Sequence, residues 1–369
     1  MDYLPFTRPF IDEETIQGVA EVLRSGWLAT GPNVGAFEAR LSGYLDGRIV
    51  KTFTSATGAL EVALEICGIG PGDEVITPAM SFTATPNVIM RVGAKPVFVD
   101  VDLETRNIDL DSLEKAITKN TRAIMPVHFA GLAVDCDALY DIAKRHGLRV
   151  IEDAAHAIGT EWSGKRIGSF GDIVSFSFHP NKNMTTIEGG ALSLSDRNEA
   201  AKLDQLRFHG IVKDDEGNQD VLLAGGKYNL SDVAARVGLG QLAHLDSFNE
   251  KRRSLAEHYL ECWKLKDCVL PRNGEGHSWH MFAPLIPFDR YGVSRQHFIR
   301  RMHEKGIGIG IHYPALHLFS LYRSLGYRRG DFPNAERIGL ETVTLPLFPM
   351  MEKNDIERVV NSISETIGS

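Results

Sequence analysis

Short apolar runs alternate with segments of helical periodicity between about residue 50 and residue 195. The runs are rich in Val and Ile and predict strands at residues 74–79, 96–101, 122–129, 148–153, 173–178 and 190–195. The segments between them predict helices at residues 57–68, 83–93, 109–117 and 137–147. Several of these helical segments begin near Asp, Ser or Thr and end at Gly, which are the residues that commonly cap helices.

The predicted strands are nearly continuous apolar runs and do not alternate strictly with polar residues. This pattern is typical of a mainly parallel sheet that helices cover on both faces, so the fold class is predicted to be α/β. Ligands in such sheets bind at the carboxyl ends of the strands. A functional site is therefore expected at that edge.

The pattern changes after about residue 230. A long helix is predicted at residues 231–263, followed by a smaller α/β unit with a helix near residues 294–306. The polar, glycine-bearing stretch 211–227 is predicted to be a loop, and long loops are often functional. The 369 residues are long for one core, so a large domain at residues 1–245 and a smaller one at residues 246–369 are predicted.

The composition is that of an ordinary globular protein, with 43% hydrophobic and 24% charged residues. The net charge is −8 and no basic block stands out, so nucleic acid is not expected as a partner. No run approaches the roughly 18 apolar residues of a membrane span, and the N-terminus has no apolar signal region. The four cysteines form no CxxC pair and suit a reducing compartment, so a cytoplasmic protein without a bound metal is expected.

Three stretches carry candidate chemistry, and the first is residues 150–159. Asp153 ends a predicted strand at the edge where a site is expected, and His156 follows three residues later. Taken alone, Asp153 is better explained as a helix N-cap and His156 as a packed core histidine.

The second stretch is residues 175–192, where Lys182 follows a predicted strand and precedes a Thr-Thr pair and two glycines. Most lysines are solvated surface residues. A lysine at a strand end near Asp153 can instead be partly desolvated, which lowers the pKa of the amine and makes it a nucleophile for carbonyls.

The third stretch is residues 53–60, where Ser, Thr and Gly stand at a predicted helix start. Free backbone N–H groups and the helix dipole there favour an anion such as phosphate, although Ser and Thr are also common N-caps. The chain contains neither GxxxxGK[ST] nor GxGxxG. An aldehyde for the lysine, a ring nitrogen for the aspartate and a phosphate for the helix start are together the groups of pyridoxal phosphate.

At this point the sequence resembles a known family over nearly its whole length. The most specific matching block is 176-FSFHPNKNMTTIEGGAL-192. Further matching stretches are residues 26–38, 70–89, 96–102, 152–160, 225–235, 306–317 and 345–351. The chain resembles the DegT-type nucleotide-sugar aminotransferases, which are fold-type I pyridoxal-phosphate enzymes. Within them it looks closest to the branch that aminates a 4-keto sugar, such as UDP-4-amino-4-deoxy-L-arabinose aminotransferase.

The resemblance implies a large fold-type I domain, with a mainly parallel seven-stranded sheet between helices, and a smaller C-terminal α/β domain. It implies that Lys182 bonds covalently to the cofactor and then moves a proton between substrate and cofactor. Asp153 would pair with the pyridine nitrogen, and His156 would lie by the ring hydroxyl. Phe82 matches the aromatic residue that stacks on the ring.

The resemblance also assigns the phosphate contacts. Ser177 and the backbone N–H groups of Ala56 and Thr57 would bind the phosphate. Asn229 resembles the residue that reaches the phosphate from the neighbouring subunit, so a homodimer with shared active sites is implied.

The substrate side of the site is less specific. His312, Tyr313 and His317 would lie near the sugar nucleotide, or they are ordinary loop residues of the smaller domain. Lys165 or Arg207 could receive the acidic groups of the substrates, but the sequence does not single them out.

The resemblance implies amino transfer from L-glutamate to a keto group, at C4, of a nucleotide-linked sugar. Related sugar dehydratases carry histidine in place of Lys182, and iron–sulfur members add clustered cysteines, so aminotransfer is favoured over dehydration. Two alternatives stay open. One is another fold-type I enzyme, such as a lyase or a cysteine desulfurase, and the other is a regulator that binds pyridoxal phosphate without turnover.

Overall fold

A seven-stranded sheet forms the centre of the larger part of the molecule in the computed structural model, which describes residues 3–368. The strands of this sheet are β1 (Ile49–Phe53), β2 (Glu74–Pro78), β3 (Lys95–Val99), β4 (Thr121–Ile124), β5 (Arg149–Asp153), β8 (Ile173–Ser177) and β9 (Gly190–Leu194). Two separate hairpins pair β6 (Glu161–Trp162) with β7 (Lys165–Arg166), and β10 (Ile211–Lys213) with β11 (Gln219–Val221).

The strand order in the main sheet is β1-β9-β8-β5-β4-β2-β3. Strand β9 runs antiparallel to both of its neighbours, and the other neighbouring pairs are parallel. The carboxyl ends of β1, β2, β4, β5 and β8 therefore meet at one edge, where β9 begins. The predicted mainly parallel α/β sheet is confirmed.

Helices cover both faces of this sheet. The helices are α1 (Glu13–Ser25), α2 (Pro32–Tyr44), α3 (Ala56–Ile66), α4 (Ala84–Arg91), α5 (Leu110–Lys115), α6 (Cys136–His146), α7 (Arg197–Leu206), α8 (Asp232–Cys262), α9 (Arg295–Glu304), α10 (Ser320–Arg323), α11 (Pro333–Glu341) and α12 (Lys353–Ile367). One core cluster joins the sheet to α3, α4 and α7, and two others join its opposite face to α2, α5, α6 and the start of α8.

The helix ends follow the cap chemistry that the sequence predicts. The Ser231 hydroxyl accepts the Ala234 N–H at 3.2 Å where α8 begins, close to the predicted residue 231. Helix α6 begins behind Asp135, whose carboxylate accepts the Ala138 N–H, and ends at Gly147 in the left-handed conformation. These local contacts explain why the element bounds could be predicted within a few residues.

The C-terminal part of the chain has its own core. It joins the second half of α8 to α9, α12 and the segments between them. Leu4 also belongs to this core, because the N-terminal segment pairs with Ile307. The predicted boundary at 245/246 falls inside the continuous helix α8. The separate cores support the two-domain division, which we retain as a proposal. Within residues 3–368, no helix combines the length and hydropathy needed to cross a membrane.

Three segments differ from the sequence prediction. The predicted strand 122–129 ends at Ile124, because Pro126 has no N–H for the ladder. The stretch 211–227 is not an unstructured loop, since β10 and β11 pair within it. Strand β1 was absent from the predicted strands because its sequence, IVKTF, mixes polar with apolar residues.

Candidate active site

A cavity of about 290 Å³ lies at the carboxyl edge of the sheet. Strand β5 ends at Asp153 and strand β8 at Ser177, while α3 begins directly after β1 at the same edge. The topology thus brings together residues that are far apart in the sequence. Of the residues singled out from the sequence, the cavity is lined by Ala56, Thr57, Phe82, Asp153, His156, Ser177, Lys182, His312 and Tyr313.

Lys182 enters the cavity from the loop between β8 and β9. Its backbone N–H donates to the His179 carbonyl at 2.9 Å, which closes a tight turn after the strand. Burial lowers the pKa of the Lys182 amine to about 8, and the nearby Asp153 carboxylate acts in the opposite direction. A substantial fraction of the amine is therefore neutral near physiological pH, as a carbonyl nucleophile requires.

Asp153 lines the same cavity at the end of β5 and is almost fully buried. Its carboxylate accepts the Thr85 hydroxyl at 2.9 Å and the Ala155 N–H at 3.1 Å. Burial raises the pKa of the carboxyl, while these two hydrogen bonds and the Lys182 charge lower it. Since Thr85 donates to Asp153, the Ser81 hydroxyl donates to Thr85 at 2.8 Å. This pair of hydroxyls fixes the carboxylate as an acceptor that faces the cavity.

His156 is buried beside Asp153 and is held as a neutral ring. Its Nδ1 accepts the Ala130 N–H at 3.4 Å, so Nε2 carries the proton and donates to the Tyr313 hydroxyl at 3.1 Å. Burial lowers the pKa of His156 well below its usual value, and the charge of Lys182 adds to this effect. The ring can therefore donate a hydrogen bond but does not carry a charge.

The amino end of α3 forms an anion cradle. Ser55 caps the helix by accepting the Gly58 N–H at 3.1 Å, and the N–H groups of Ala56 and Thr57 belong to the first turn, which has no intrahelical acceptors for them. A side-chain carbon on Gly190 would lie 2.4 Å from the Ala56 nitrogen, so only glycine lets β9 start this close to the helix. The Ser177 hydroxyl also lines the cavity beside this anion cradle.

Aromatic residues form the outer part of the cavity. Phe82 is 56% exposed, and its ring centroid lies 6.0 Å from that of Tyr313. The His312 ring is fixed by a 2.7 Å hydrogen bond between Nδ1 and the Thr344 hydroxyl. Burial lowers the pKa of His312 to about 4, so this ring is also neutral.

Some residues singled out from the sequence do not line this cavity. His317 is fully buried elsewhere and bonds to Glu336 at 3.0 Å. The Asn229 side chain lies outside the cavity of its own chain, where it donates to the Thr30 hydroxyl at 2.6 Å. Arg207 forms a 2.7 Å ion pair with Glu38. Lys165 is an exposed residue of β7.

Arg207 and Lys165, which could have received the acidic groups of the substrates, lie away from this cavity in their own chain. The Arg207 guanidinium also donates to the Thr52 carbonyl at 2.9 Å. This bond links the end of α7 to β1. Neither residue belongs to the cavity wall. The sequence could not show this, because Glu38 and the Thr52 carbonyl lie more than 150 residues from Arg207.

Other residues of the site were missed in the sequence. Thr85 and Ser81 orient Asp153, and they lie in a stretch that shows only the pattern of a helix start. His179 and Glu188 line the mouth of the cavity and stand inside the 176–192 block. That block was a usable signal for both, because its polar residues flank Lys182.

The sequence model of the DegT/DnrJ/EryC1/StrS aminotransferase family matches residues 9–364. The chain belongs to this family.

Solved and curated relatives agree with the family assignment. The chain is 39% identical to the uncharacterised protein MJ1066 of Methanocaldococcus jannaschii, over 99% of this chain and 98% of that protein. Among solved structures, Spr1654 of Streptococcus pneumoniae, assigned as a sugar aminotransferase, is 32% identical in its PMP-form, with a TM-score of 0.93 and 99% of both chains covered. Helicobacter pylori PseC, an aminotransferase involved in the biosynthesis of pseudoaminic acid, is 28% identical, with a TM-score of 0.94 and 100% of both chains covered.

The family depends on pyridoxal phosphate, and Spr1654 has also been solved in a PLP-form. The cavity lined by Lys182 and Asp153 fits this cofactor. Lys182 is a partly neutral amine for the aldehyde, Asp153 is a buried and oriented acceptor for the ring nitrogen, and the amino end of α3 offers free N–H groups to the phosphate. The chain is thus an aminotransferase of fold type I, as the resemblance implies.

Proposed function

We propose that this aminotransferase moves an amino group from L-glutamate to a keto group, at C4, of a nucleotide-linked sugar. The observation that carries the proposal is one cavity in which Lys182, with its pKa lowered to about 8, faces Asp153 and the amino end of α3. Family membership and the sugar aminotransferases among the similar structures support a sugar as the acceptor. The resemblance of residues 225–235 and 306–317 to the 4-keto branch supports C4.

Bound pyridoxal phosphate supplies an electron sink that stabilises negative charge on the substrate carbon next to nitrogen. Lys182 is the residue that bonds to its aldehyde. Its free amine would hold and move the proton that leaves the substrate carbon. Asp153 would accept the N–H of the pyridine ring and keep that nitrogen protonated. His156 would lie by the ring hydroxyl, and Phe82 would cover the ring.

Both substrates are acidic, yet the cavity of one chain has little positive charge. Lys182 is the only lysine or arginine among the described residues that line it, and Asp153 and Glu188 also line it. This shortage supports a homodimer in which the second copy completes the site. In that arrangement, Asn229 of one protomer would reach the cofactor phosphate in its partner. The four free cysteines support a reducing compartment such as the cytoplasm.

The alternative of a cysteine desulfurase lacks support, because none of the four cysteines lines the cavity. Burial raises the pKa of Cys67 to about 12 and of Cys268 to about 11, so neither thiol is activated. A lyase on amino acids would act without any sugar nucleotide. A regulator without turnover would bind the cofactor but leave glutamate unchanged.

The decisive experiment supplies glutamate and then a panel of keto-sugar nucleotides to the loaded protein. Glutamate alone should convert the cofactor to its amine form, which absorbance detects, and release one 2-oxoglutarate per site. Adding a 4-keto sugar nucleotide should then restore the original spectrum and allow continuous 2-oxoglutarate release. Release only with 3-keto sugars would correct the ring position. If no common amino acid converts the cofactor, the proposed aminotransfer is wrong.

A further inference from the structure

A buried group of side chains holds the residue that follows Lys182. Asn183 is only 4% exposed, and its amide bonds to three partners: Asn249 on α8 at 2.7 Å, the Ser278 carbonyl at 2.8 Å and His280 at 3.1 Å. The mechanism above uses none of these contacts. We propose that Asn183 is a positioning residue that holds Lys182 at the end of β8, acting through Asn249 and His280. This inference rests on the proposed function only in assigning the chemistry to Lys182.

The direction of each hydrogen bond in the group is fixed by backbone carbonyls. The Ser278 carbonyl can only accept, so the Asn183 nitrogen faces it and also donates to the Asn249 oxygen. The Asn249 nitrogen in turn donates to the Ile158 carbonyl at 3.2 Å. The Asn183 oxygen therefore accepts from His280, whose Nδ1 carries the proton. Every polar atom of the Asn183 amide is bonded, so the side chain has one preferred orientation.

The same group reaches the ring that lies beside Lys182 in the cavity. The His280 ring stacks on the His156 ring, with centroids 4.6 Å apart and an interplanar angle of 30°. Ala130 links the two histidines through its backbone, because its N–H donates to His156 and its carbonyl accepts the His280 N–H at 2.8 Å. Asn183 thus connects the backbone of Lys182 with His156 through a continuous chain of contacts.

The residues that bind Asn183 are themselves held by further contacts. Asn249 lies within the 31-residue helix α8, and Gly159 leaves room for its amide, since a side-chain carbon there would lie 2.3 Å from the Asn249 nitrogen. His280 is held by its own backbone bond to Ala130 and by the Arg252 guanidinium, which donates to its carbonyl at 3.2 Å. The loop that carries Lys182 is therefore tied to both the larger and the C-terminal parts of the chain.

Fixing this loop keeps the lysine amine in the buried position that makes it neutral. The titratable groups near the Lys182 amine include Asp153, which attracts its charge, and the neutral rings of His156, His280 and His312. His179, Glu188 and Tyr313 also line its cavity. Without the three bonds of Asn183, the loop would loosen and water would reach the amine. Its pKa would then rise toward the ordinary lysine value.

The test measures the pKa of Lys182 in the cofactor-free protein, from the pH dependence of its carbamylation by cyanate, followed by peptide mass spectrometry. Asn183→Ala should raise this pKa by about one unit, which lowers the neutral fraction at pH 7.5 about eightfold. Asn249→Ala should raise it less, because Asn183 keeps its bonds to Ser278 and His280. The measurement needs neither cofactor nor sugar, so a failed sugar assay leaves it unaffected.

The matched control is Asn107→Ala. Asn107 is also 4% exposed and makes the same set of bonds, donating to the Leu132 and Ala133 carbonyls and accepting the Phe129 N–H, but it has no contact with the lysine loop. The Asn107→Ala variant should lower Tm by an amount similar to that of Asn183→Ala and leave the pKa of Lys182 unchanged. An unchanged pKa in Asn183→Ala overturns the proposal. If that variant does not fold, an unchanged pKa in Asn249→Ala overturns it instead.

Discussion

A lysine amine attacks a carbonyl only in its neutral form, so the burial that lowers the pKa of Lys182 to about 8 decides how this residue works. The neighbouring carboxylate of Asp153 opposes this shift, yet burial outweighs it. The two groups therefore serve different ends. Asp153 is held as an acceptor by Thr85 and Ala155, while the amine remains free to form a bond.

The attachment of the cofactor to the cofactor-free protein should follow the titration of Lys182. The rate should rise about tenfold per pH unit up to pH 7 and level off above about pH 8, because the neutral amine is the reactive form. Stopped-flow absorbance measures the rate, with a free amine of known pKa as reference for ionisation of the cofactor itself. After borohydride reduction, mass spectrometry should find the cofactor on Lys182.

Two variants check this assignment. Lys182→Ala should retain no cofactor after reduction, whereas Lys165→Ala, which changes an exposed lysine of β7, should behave as the wild type. A rate that keeps rising to pH 10 would contradict the lowered pKa. It would indicate an amine that is solvated like an ordinary lysine.

At the scale of elements, the sequence was most informative where one stretch contains its own signal. Strands β8 and β9 were predicted at their observed starts, because serine is the only polar residue type in either strand. Hairpin β10–β11 was missed because each of its strands has only three residues, and β11 is exposed. The anion cradle was also foreseen, since Ser55 and the residues after it form a local helix start.

The junction between β9 and α3 gives a prediction at this scale. Gly190→Ala should destabilise the protein by about 1–3 kcal/mol, because the added carbon would meet the Ala56 nitrogen at 2.4 Å and push the helix start away. Displacement of the α3 start should also weaken cofactor binding, because the N–H groups of Ala56 and Thr57 would move away from the phosphate. Urea unfolding of the cofactor-free protein and titration with pyridoxal phosphate measure the two effects separately.

Gly35 is the matched control. It is an exposed residue of helix α2, and nothing lies within 4 Å of the side-chain carbon that alanine would add. Gly35→Ala should be neutral or stabilise the helix by up to about 1 kcal/mol. Unchanged cofactor affinity in Gly190→Ala would show that the phosphate does not depend on the start of α3.

At the scale of the whole molecule, the sequence could not predict which distant side chains meet. Asn183 and His280 are 97 residues apart, and His156 and Tyr313 are 157 residues apart, yet each pair shares a hydrogen bond. Neither pairing leaves a local pattern in the sequence. His317 is the converse case. It stands four residues after Tyr313, but its side chain is directed into the core against Phe332 and Glu336.

The proposed dimer can be tested by mixing two inactive proteins. Lys182→Ala and Asn229→Ala should each be inactive alone, but dissociation and reassociation of a mixture should restore about one quarter of wild-type activity. Half of the dimers would be mixed, and each mixed dimer would contain one complete site, because an intact Asn229 from one protomer would serve the intact Lys182 of the other. Mixing Lys182→Ala with Asp153→Asn should restore nothing, because both residues line the cavity of the same chain. If the first mixture also stays inactive while mixed dimers form, Asn229 serves its own chain and the shared site is wrong.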